Sequence, residues 1–169
     1  MGREFWLEGP VEGIPPLLVP AAHALLQAGS DLRETASPLT PAQVWLRPNG
    51  AASIGFHLRH IAGSLDRLLT YAQGQELSPD QREALAVEKT EPAEPIDVAR
   101  LLDLVDTTIF RALSILRATP ESSLLDQRLV GRAKRPSTVL GLLFHAAEHT
   151  SRHTGQVITT AKIVGGSEA

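Results

Sequence analysis

Histidine is the residue type whose spacing in this sequence points to chemistry. His145, His149 and His153 follow one another at steps of four. Residues four apart lie one above the other on a helix face, so two neighbouring imidazoles can share one metal ion. Three in a row cannot all reach it, because eight residues span about 12 Å of helix axis. The spacing therefore predicts a metal-binding pair and one histidine outside it.

A helical wheel indicates which histidines face inward. The apolar face of this segment lies nearest to His153, next to His149 and furthest from His145, so His149 and His153 are the predicted pair. An earlier helical segment offers His57 or His60 as a third ligand. Its apolar face places His57 nearer the core and His60 at the margin. Periodicity alone therefore favours His57.

Ordinary structural roles compete with these interpretations. A single histidine on a helix margin is usually solvated or hydrogen-bonded, and pairs spaced by four also arise by chance. His23 has no motif partner and is expected to be structural or exposed. Glu148 and Arg152 are expected to form an exposed ion pair across one turn. The basic segment from Arg128 to Arg135 is expected to be a solvated loop, with an anion-binding entrance as the alternative.

Composition limits the kinds of site and partner. The sequence has no cysteine, so a transition metal must be held by histidine nitrogen and carboxylate oxygen. A carboxylate-bridged di-iron bundle would need repeated Glu-x-x-His pairs, which the sequence lacks. The 16 Lys and Arg against 19 Asp and Glu, with few aromatic residues, argue against nucleic-acid binding.

The elements that must position these histidines are helical. Four long segments have helical periodicity and no alternating strand is convincing, which predicts an all-α four-helix bundle. The segments run from about Pro15 or Pro16 to about Thr35, from near Ser53 to Gly74, from near Asp97 to before Pro120, and from Ser137 or Thr138 to Gly165 and Gly166. Pro20 is expected to bend or restart the first helix.

A long crossover separates the second and third predicted helices. It runs from Gln75 to Ile96 and contains a short helical piece from about Ser78 to Val87. Such a connection can cross the end of a bundle, so simple up-down-up-down wiring is not required. The length of 169 residues predicts a single domain over residues 1–169.

Apolar stretches and the N-terminal composition bear on location and assembly. No apolar stretch is long enough to span a bilayer and no signal core is visible, which predicts a soluble, cytoplasmic protein. A bundle rich in leucine and alanine is expected to bury a helix pair in a two-fold homodimer.

Two groups of residues give the sequence a family likeness. They are His60 to Leu69, preceded by Trp45-Leu46-Arg47-Pro48 and Ser53-Ile54-Gly55, and the later Glu148-His149 followed by His153, Gly155, Gln156 and Val157. Together they resemble the DinB-like (DinB/YfiT-type) superfamily, and the resemblance covers nearly the whole chain. It implies a four-helix bundle with a divalent metal, zinc or nickel, held by three histidines. These correspond to His60, directly before the Ile-Ala pair, and to His149 and His153.

The resemblance agrees with the wheel for the fourth helix and disagrees for the second. We follow the resemblance and choose His60, because a wheel of straight helices cannot resolve neighbours about 60° apart. Gly55 and Gly63 in the same segment are expected to permit close packing, which is a further departure from an ideal wheel.

The resemblance also suggests an activity. Three neutral imidazoles leave a metal an open position, as catalytic sites do. Some members of the superfamily are similar to thiol-dependent transferases or isomerases, in which the metal binds a low-molecular-weight thiol and lowers its pKa. The implied function is a metal-dependent small-molecule transferase of the thiol S-transferase type. The alternative is a non-enzymatic metal-binding bundle with a structural or stress-response role. His57, His145, Glu148 and Arg152 are candidates for support, and the sequence identifies no general base.

Overall fold

Local sequence signals set the boundaries of the helices in the computed structural model, which describes residues 3–166. The helices are α1 (Val19–Ala36), α2 (Pro41–Trp45), α3 (Ile54–Ala72), α4 (Pro79–Val87), α5 (Val98–Ala118) and α6 (Val139–Gly165), and the strands are β1 (Gln127–Val130) and β2 (Arg135–Thr138). The four long helices α1, α3, α5 and α6 correspond to the four predicted segments. The all-α bundle is therefore confirmed.

Capping and proline positions explain where the long helices begin. The Ser53 side chain accepts a hydrogen bond from the backbone N–H of Phe56 at the start of α3, and Thr138 does the same for Gly141 at the start of α6. Pro20 lies in the first turn of α1, just after a separate 3₁₀ turn. The N–H groups of a first turn have no partner within the helix, so proline loses no hydrogen bond there. The helix therefore restarts at this proline, which was one of the two expectations.

Two short helices have capping boxes. In α4, Ser78 and Gln81 bond reciprocally to each other's backbone N–H, at the place where a helical piece was predicted. Thr40 and Gln43 do the same in α2, which the periodicity analysis missed because five residues are too few to show a period. The Thr40-x-x-Gln43 spacing was the signal that could have revealed α2.

The wiring of the bundle places the two histidine-bearing helices side by side. α6 packs against both α1 and α3, and α5 packs against the same two helices, so α1 and α3 lie diagonally opposite each other. The crossover that contains α4 makes this arrangement possible, as its length suggested. As a result α3 and α6 share the most extensive contact in the bundle.

Both helices contribute buried leucine or isoleucine side chains to the hydrophobic core. Leu58, Ile61 and Leu65 on α3 and Leu143 on α6 are all at most 2% exposed. Burying one such side chain contributes about 1.5–3 kcal/mol, so the relative position of the two helices is firmly determined.

The basic segment is a β-hairpin and not the expected loop, although most of its residues are exposed, as expected of a solvated segment. β1 and β2 pair antiparallel, with Gln127 opposite Thr138 and Leu129 opposite Pro136. Strands of four residues are too short to show alternation, and Pro136 argues against a strand unless that strand lies at an edge. Arg128 donates from Nε to the carbonyl of Ala72 at 2.9 Å, which fastens the hairpin to the end of α3.

None of the helices within residues 3–166 is both long enough and apolar enough to cross a membrane.

Candidate metal centre

Three histidines from two neighbouring helices converge at one place. His60 projects from α3, and His149 and His153 project from successive turns of α6; one ring nitrogen from each lies within 4.8 Å of the others. The Nε2 atoms of His60 and His149 are 2.9 Å apart. The ring of His153 lies 4.5 Å from that of His60 and 4.6 Å from that of His149, centroid to centroid. Such an arrangement matches the spacing of donors around one divalent ion.

The other two histidines of these helices lie beside the cluster. His57 is buried, and its Nδ1 is 3.0 Å from Nδ1 of His153, but it does not belong to the three-donor group. Periodicity therefore identified the more buried of the two α3 histidines, whereas the family likeness identified the one that converges with α6. His145 is exposed and lies 3.3 Å from the Glu148 carboxylate. It is the histidine left over, as the wheel indicated.

His23 lies on α1, away from the three histidines. Its Nε2 is 2.8 Å from the carbonyl oxygen of Gly9, to which a ring N–H there can donate. His23 therefore connects α1 to the segment that precedes it, in keeping with the expected structural role.

Glu88 is the residue at this site that the sequence analysis missed. It follows α4 directly, is 6% exposed, and its Oε2 lies 2.8 Å from Nδ1 of His60. Arg67, also buried, donates to the same carboxylate at 2.9 and 3.2 Å. Burial disfavours the ionised carboxylate, but hydrogen bonds from His60 and Arg67 outweigh it and hold the pKa of Glu88 below its usual value. A charged pair is thus buried against a histidine of the cluster.

α3 makes room for this pair through a glycine. A Cβ at Gly63 would lie 2.6 Å from Oε1 of Glu88 and 2.8 Å from Nη1 of Arg67. Gly63 and Arg67 follow His60 by three and seven residues, the spacing of one helix face, so the sequence did contain a signal for a charged side chain beside the histidine. No comparable signal marks Glu88, because it is contributed by the crossover 28 residues further on.

Burial keeps two of the converging imidazoles neutral. Desolvation, with repulsion from neighbouring histidines and Arg152, lowers the pKa of His149 from 6.5 to about 4. Desolvation, with repulsion chiefly from His60 and His57, lowers the pKa of His153 to about 4 as well. Burial also lowers the pKa of His57, with a smaller contribution from His60. At neutral pH His149 and His153 therefore present nitrogen lone pairs, which a metal requires.

One buried nitrogen of His149 lacks a partner. Nδ1 of His149 is inaccessible to solvent and makes no hydrogen bond within the described residues. An unpaired buried polar atom is costly and needs an explanation. The His149 nitrogen that faces His60 is Nε2, so the unpaired Nδ1 does not itself indicate a metal. The observation that fits a divalent ion preferring nitrogen ligands is the donor set of three imidazoles.

The cluster is partly open to solvent. The side chain of His60 is 20% exposed, and the ring of Phe56 stacks on it at 5.5 Å between centroids and 9° between planes. At the outer side, Arg152 donates to Glu148 one turn earlier, which confirms the expected exposed ion pair. Two clefts of about 340 Å³ lie elsewhere, one between α1 and α6 and the other beside the hairpin.

A four-helix bundle with a three-histidine cluster between two adjacent helices defines the class of this protein. The chain belongs to the DinB superfamily, whose family model matches residues 24–157. This range contains all three converging histidines and Glu88.

Solved structures share the fold. YfiT from Bacillus subtilis, described as a probable metal-dependent hydrolase with an unusual four-helix bundle topology, superposes with a TM-score of 0.70 at 15% identity, covering 93% of each chain. A conserved protein from Enterococcus faecalis superposes with a TM-score of 0.67 at 21% identity, covering 89% of this chain and 98% of the other. No curated protein matches the chain by sequence.

Proposed function

We propose that this protein is a divalent-metal-dependent enzyme that transfers a small thiol to an electrophilic substrate, with His60, His149 and His153 as the metal ligands. The observation that carries the proposal is the convergence of three donor nitrogens within 4.8 Å at a partly exposed position. Zinc or nickel suits three imidazoles best.

The donor set favours a catalytic site over a structural one. Closed structural sites use four protein ligands, whereas catalytic sites keep a position for substrate. Within residues 3–166, three histidines and no carboxylate make up the donor group. A bound cation lowers the pKa of a thiol or water beside it and polarises an electrophile. The helices would position the three histidines and exclude most solvent from them, while His60 stays partly exposed.

The two nearby carboxylates already bind other side chains, which favours thiol transfer over hydrolysis. Glu88 contacts one of the three histidines, His60, and also binds Arg67. Glu148, next to His149 in the sequence, binds Arg152 and His145. Neither is a free base. Water has a far higher pKa than a thiol, so it needs more assistance to become a nucleophile. Hydrolysis is kept as the second candidate because YfiT, the structural neighbour, is described as a probable hydrolase.

A screen with and without chelator tests the proposal. Untagged protein should carry about one divalent ion per chain, and protein reloaded with zinc or nickel should conjugate small thiols such as cysteine or glutathione to an electrophile. Hydrolysis of ester and amide substrates without thiol would favour the second candidate. Metal that cannot be restored at neutral pH would overturn the site. Stoichiometric metal with neither activity would favour a non-enzymatic metal-binding bundle.

A further inference from the structure

We propose that Glu88 is a positioning residue: its buried carboxylate fixes the orientation and tautomer of His60, so that Nε2 of this ring faces His149 and His153. The inference rests on the proposed metal site and adds a residue from the crossover to it. The geometry that carries it is the 2.8 Å contact between Oε2 of Glu88 and Nδ1 of His60, on the opposite edge of the ring from the 2.9 Å contact with His149.

The contact with Glu88 determines which nitrogen of His60 carries the proton. A carboxylate can only accept a hydrogen bond, so Nδ1 of His60 must donate and carry the proton. In neutral imidazole the other nitrogen then has the lone pair, and this is Nε2. Because Nε2 is the atom that approaches His149, the tautomer set by Glu88 directs the lone pair into the cluster.

The buried carboxylate of Glu88 needs partners that stabilise its charge. Glu88 is 6% exposed, and a buried charge without a partner is strongly destabilising. Arg67 meets it with two hydrogen bonds, and Gly63 leaves the space that both side chains occupy. The contact between Glu88 and His60 is therefore supported by Arg67, which binds the carboxylate, and by Gly63, which leaves room for both side chains.

Hydrogen bonds also attach the backbone of the crossover to α3. Arg59, one residue before His60, donates to the carbonyl of Thr90 at 2.8 Å and to that of Val87 at 3.4 Å. These bonds hold the backbone on both sides of Glu88 against α3. The carboxylate is therefore fixed through its main chain as well as through Arg67.

The test compares zinc affinity in matched variants of the full chain, by competition with a chromophoric chelator. Glu88→Gln removes the charge, and the control Glu83→Gln makes the same change at an exposed position of α4. Loss of a group that orients a metal-ligating histidine typically costs 10- to 100-fold in affinity, so we expect at least about a tenfold loss in Glu88→Gln and none in the control. Equal affinity of the two variants would overturn the proposal.

A second pair of variants covers the case in which Glu88→Gln fails to fold. Gly63→Ala keeps every charge but places a Cβ where Glu88 and Arg67 lie, and the flexible ends of both side chains can move away. The control is Gly155→Ala on α6, where a Cβ would meet nothing within 4 Å. We expect weaker zinc binding in Gly63→Ala than in Gly155→Ala, and equal binding would contradict the inference.

Nitrogen NMR of the metal-free protein separates this inference from the proposed function. The ring of His60 should carry its proton on Nδ1, and Glu88→Gln should change the ¹⁵N shifts of that ring more than those of His23. A proton on Nε2 of wild-type His60 overturns the positioning role whether or not metal binds. If wild-type protein shows the Nδ1 proton but binds no divalent ion, the proposed function fails while the orientation by Glu88 stands.

Discussion

At the scale of single residues, the histidines whose ring nitrogens converge must be distinguished from the histidines that only lie near them. His60, His149 and His153 place nitrogens within 4.8 Å of one another, whereas His57 lies outside this group, with its Nδ1 3.0 Å from Nδ1 of His153. In the proposed metal site the two α3 histidines therefore have different roles: His60 is a ligand, and His57 contacts the ligand His153. Substitution can distinguish these roles.

The first prediction is that His60→Ala, His149→Ala and His153→Ala each abolish stoichiometric metal binding. Each removes one of three donors, and two imidazoles hold an ion far less tightly than three. The measurement is elemental analysis of each variant after dialysis against the same concentration of zinc. His145→Ala is the matched control on the same helix and should keep the ion, because His145 is exposed.

His57→Ala makes the decisive comparison with His60→Ala. We expect His57→Ala to retain the ion with an affinity about 10- to 100-fold lower, because it loses a group that contacts a ligand and not the ligand itself. If His57→Ala loses the ion while His60→Ala keeps it, the assignment of the α3 ligand is wrong. If both keep it, the third ligand lies outside α3.

The second prediction concerns acid stability without metal. His149 and His153 titrate near 6.5 in the unfolded chain and at about 4 in the folded protein, so the unfolded state binds more protons between these values. Stability from these groups is fully present above pH 6.5 and is lost as the pH falls toward 4. Thermal melts in chelator should show Tm falling through this window. The double variant His149→Asn, His153→Asn should fall less steeply, and an unchanged slope would mean that other groups cause the loss.

At the scale of elements, glycines on α3 decide how closely its neighbours approach. Gly55 faces the indole of Trp45, and a Cβ there would lie 2.8 Å from the ring. Trp45 in turn donates from Nε1 to the carbonyl of Ile96 at 3.1 Å, at the end of the crossover. One glycine thus sets the packing of α2 and of the residues that lead into α5.

The third prediction is that Gly55→Ala destabilises the protein by about 1–3 kcal/mol. A rigid indole cannot move aside as a flexible side chain can, so overpacking outweighs the gain in helix propensity. Urea denaturation followed by far-UV circular dichroism measures the difference. Gly155→Ala, which adds a methyl to open space, should be neutral or stabilising by roughly 0.5–1 kcal/mol. Equal stability of the two variants would show that the Trp45 contact is unimportant.

Periodicity and caps were sufficient to predict the long helices, since each shows several turns and a clear start such as Ser53 or Thr138. They were insufficient where an element has only a few residues, as in α2 and the hairpin. The His149 and His153 pair followed from spacing within one helix. Glu88 did not, because its contact with His60 depends on how a crossover folds back, which no local pattern encodes.

At the scale of the whole molecule, assembly remains a prediction. A two-fold homodimer is expected, and large apolar side chains such as Phe110 (70% exposed) and Leu104 (49% exposed) lie on the outer face of α5. Light scattering at micromolar concentrations should give twice the 18.2 kDa of one chain. A single-chain mass throughout that range would refute the dimer. That residues 1–169 form one domain is likewise a prediction.

The position of α6 beside α3 has a consequence for chain entropy. The donors that meet at the cluster are 89 residues apart along the chain, and closing a loop of that length costs an unfolded polypeptide about 4–5 kcal/mol. An unfolded chain can offer a metal only pairs of histidines that are close in sequence, such as His149 and His153, so an ion that needs all three donors would distinguish folded from unfolded protein. Under the proposed metal site, metal occupancy would therefore be thermodynamically linked to the fold, and ion concentration would act on the folding equilibrium as any ligand of the native state does.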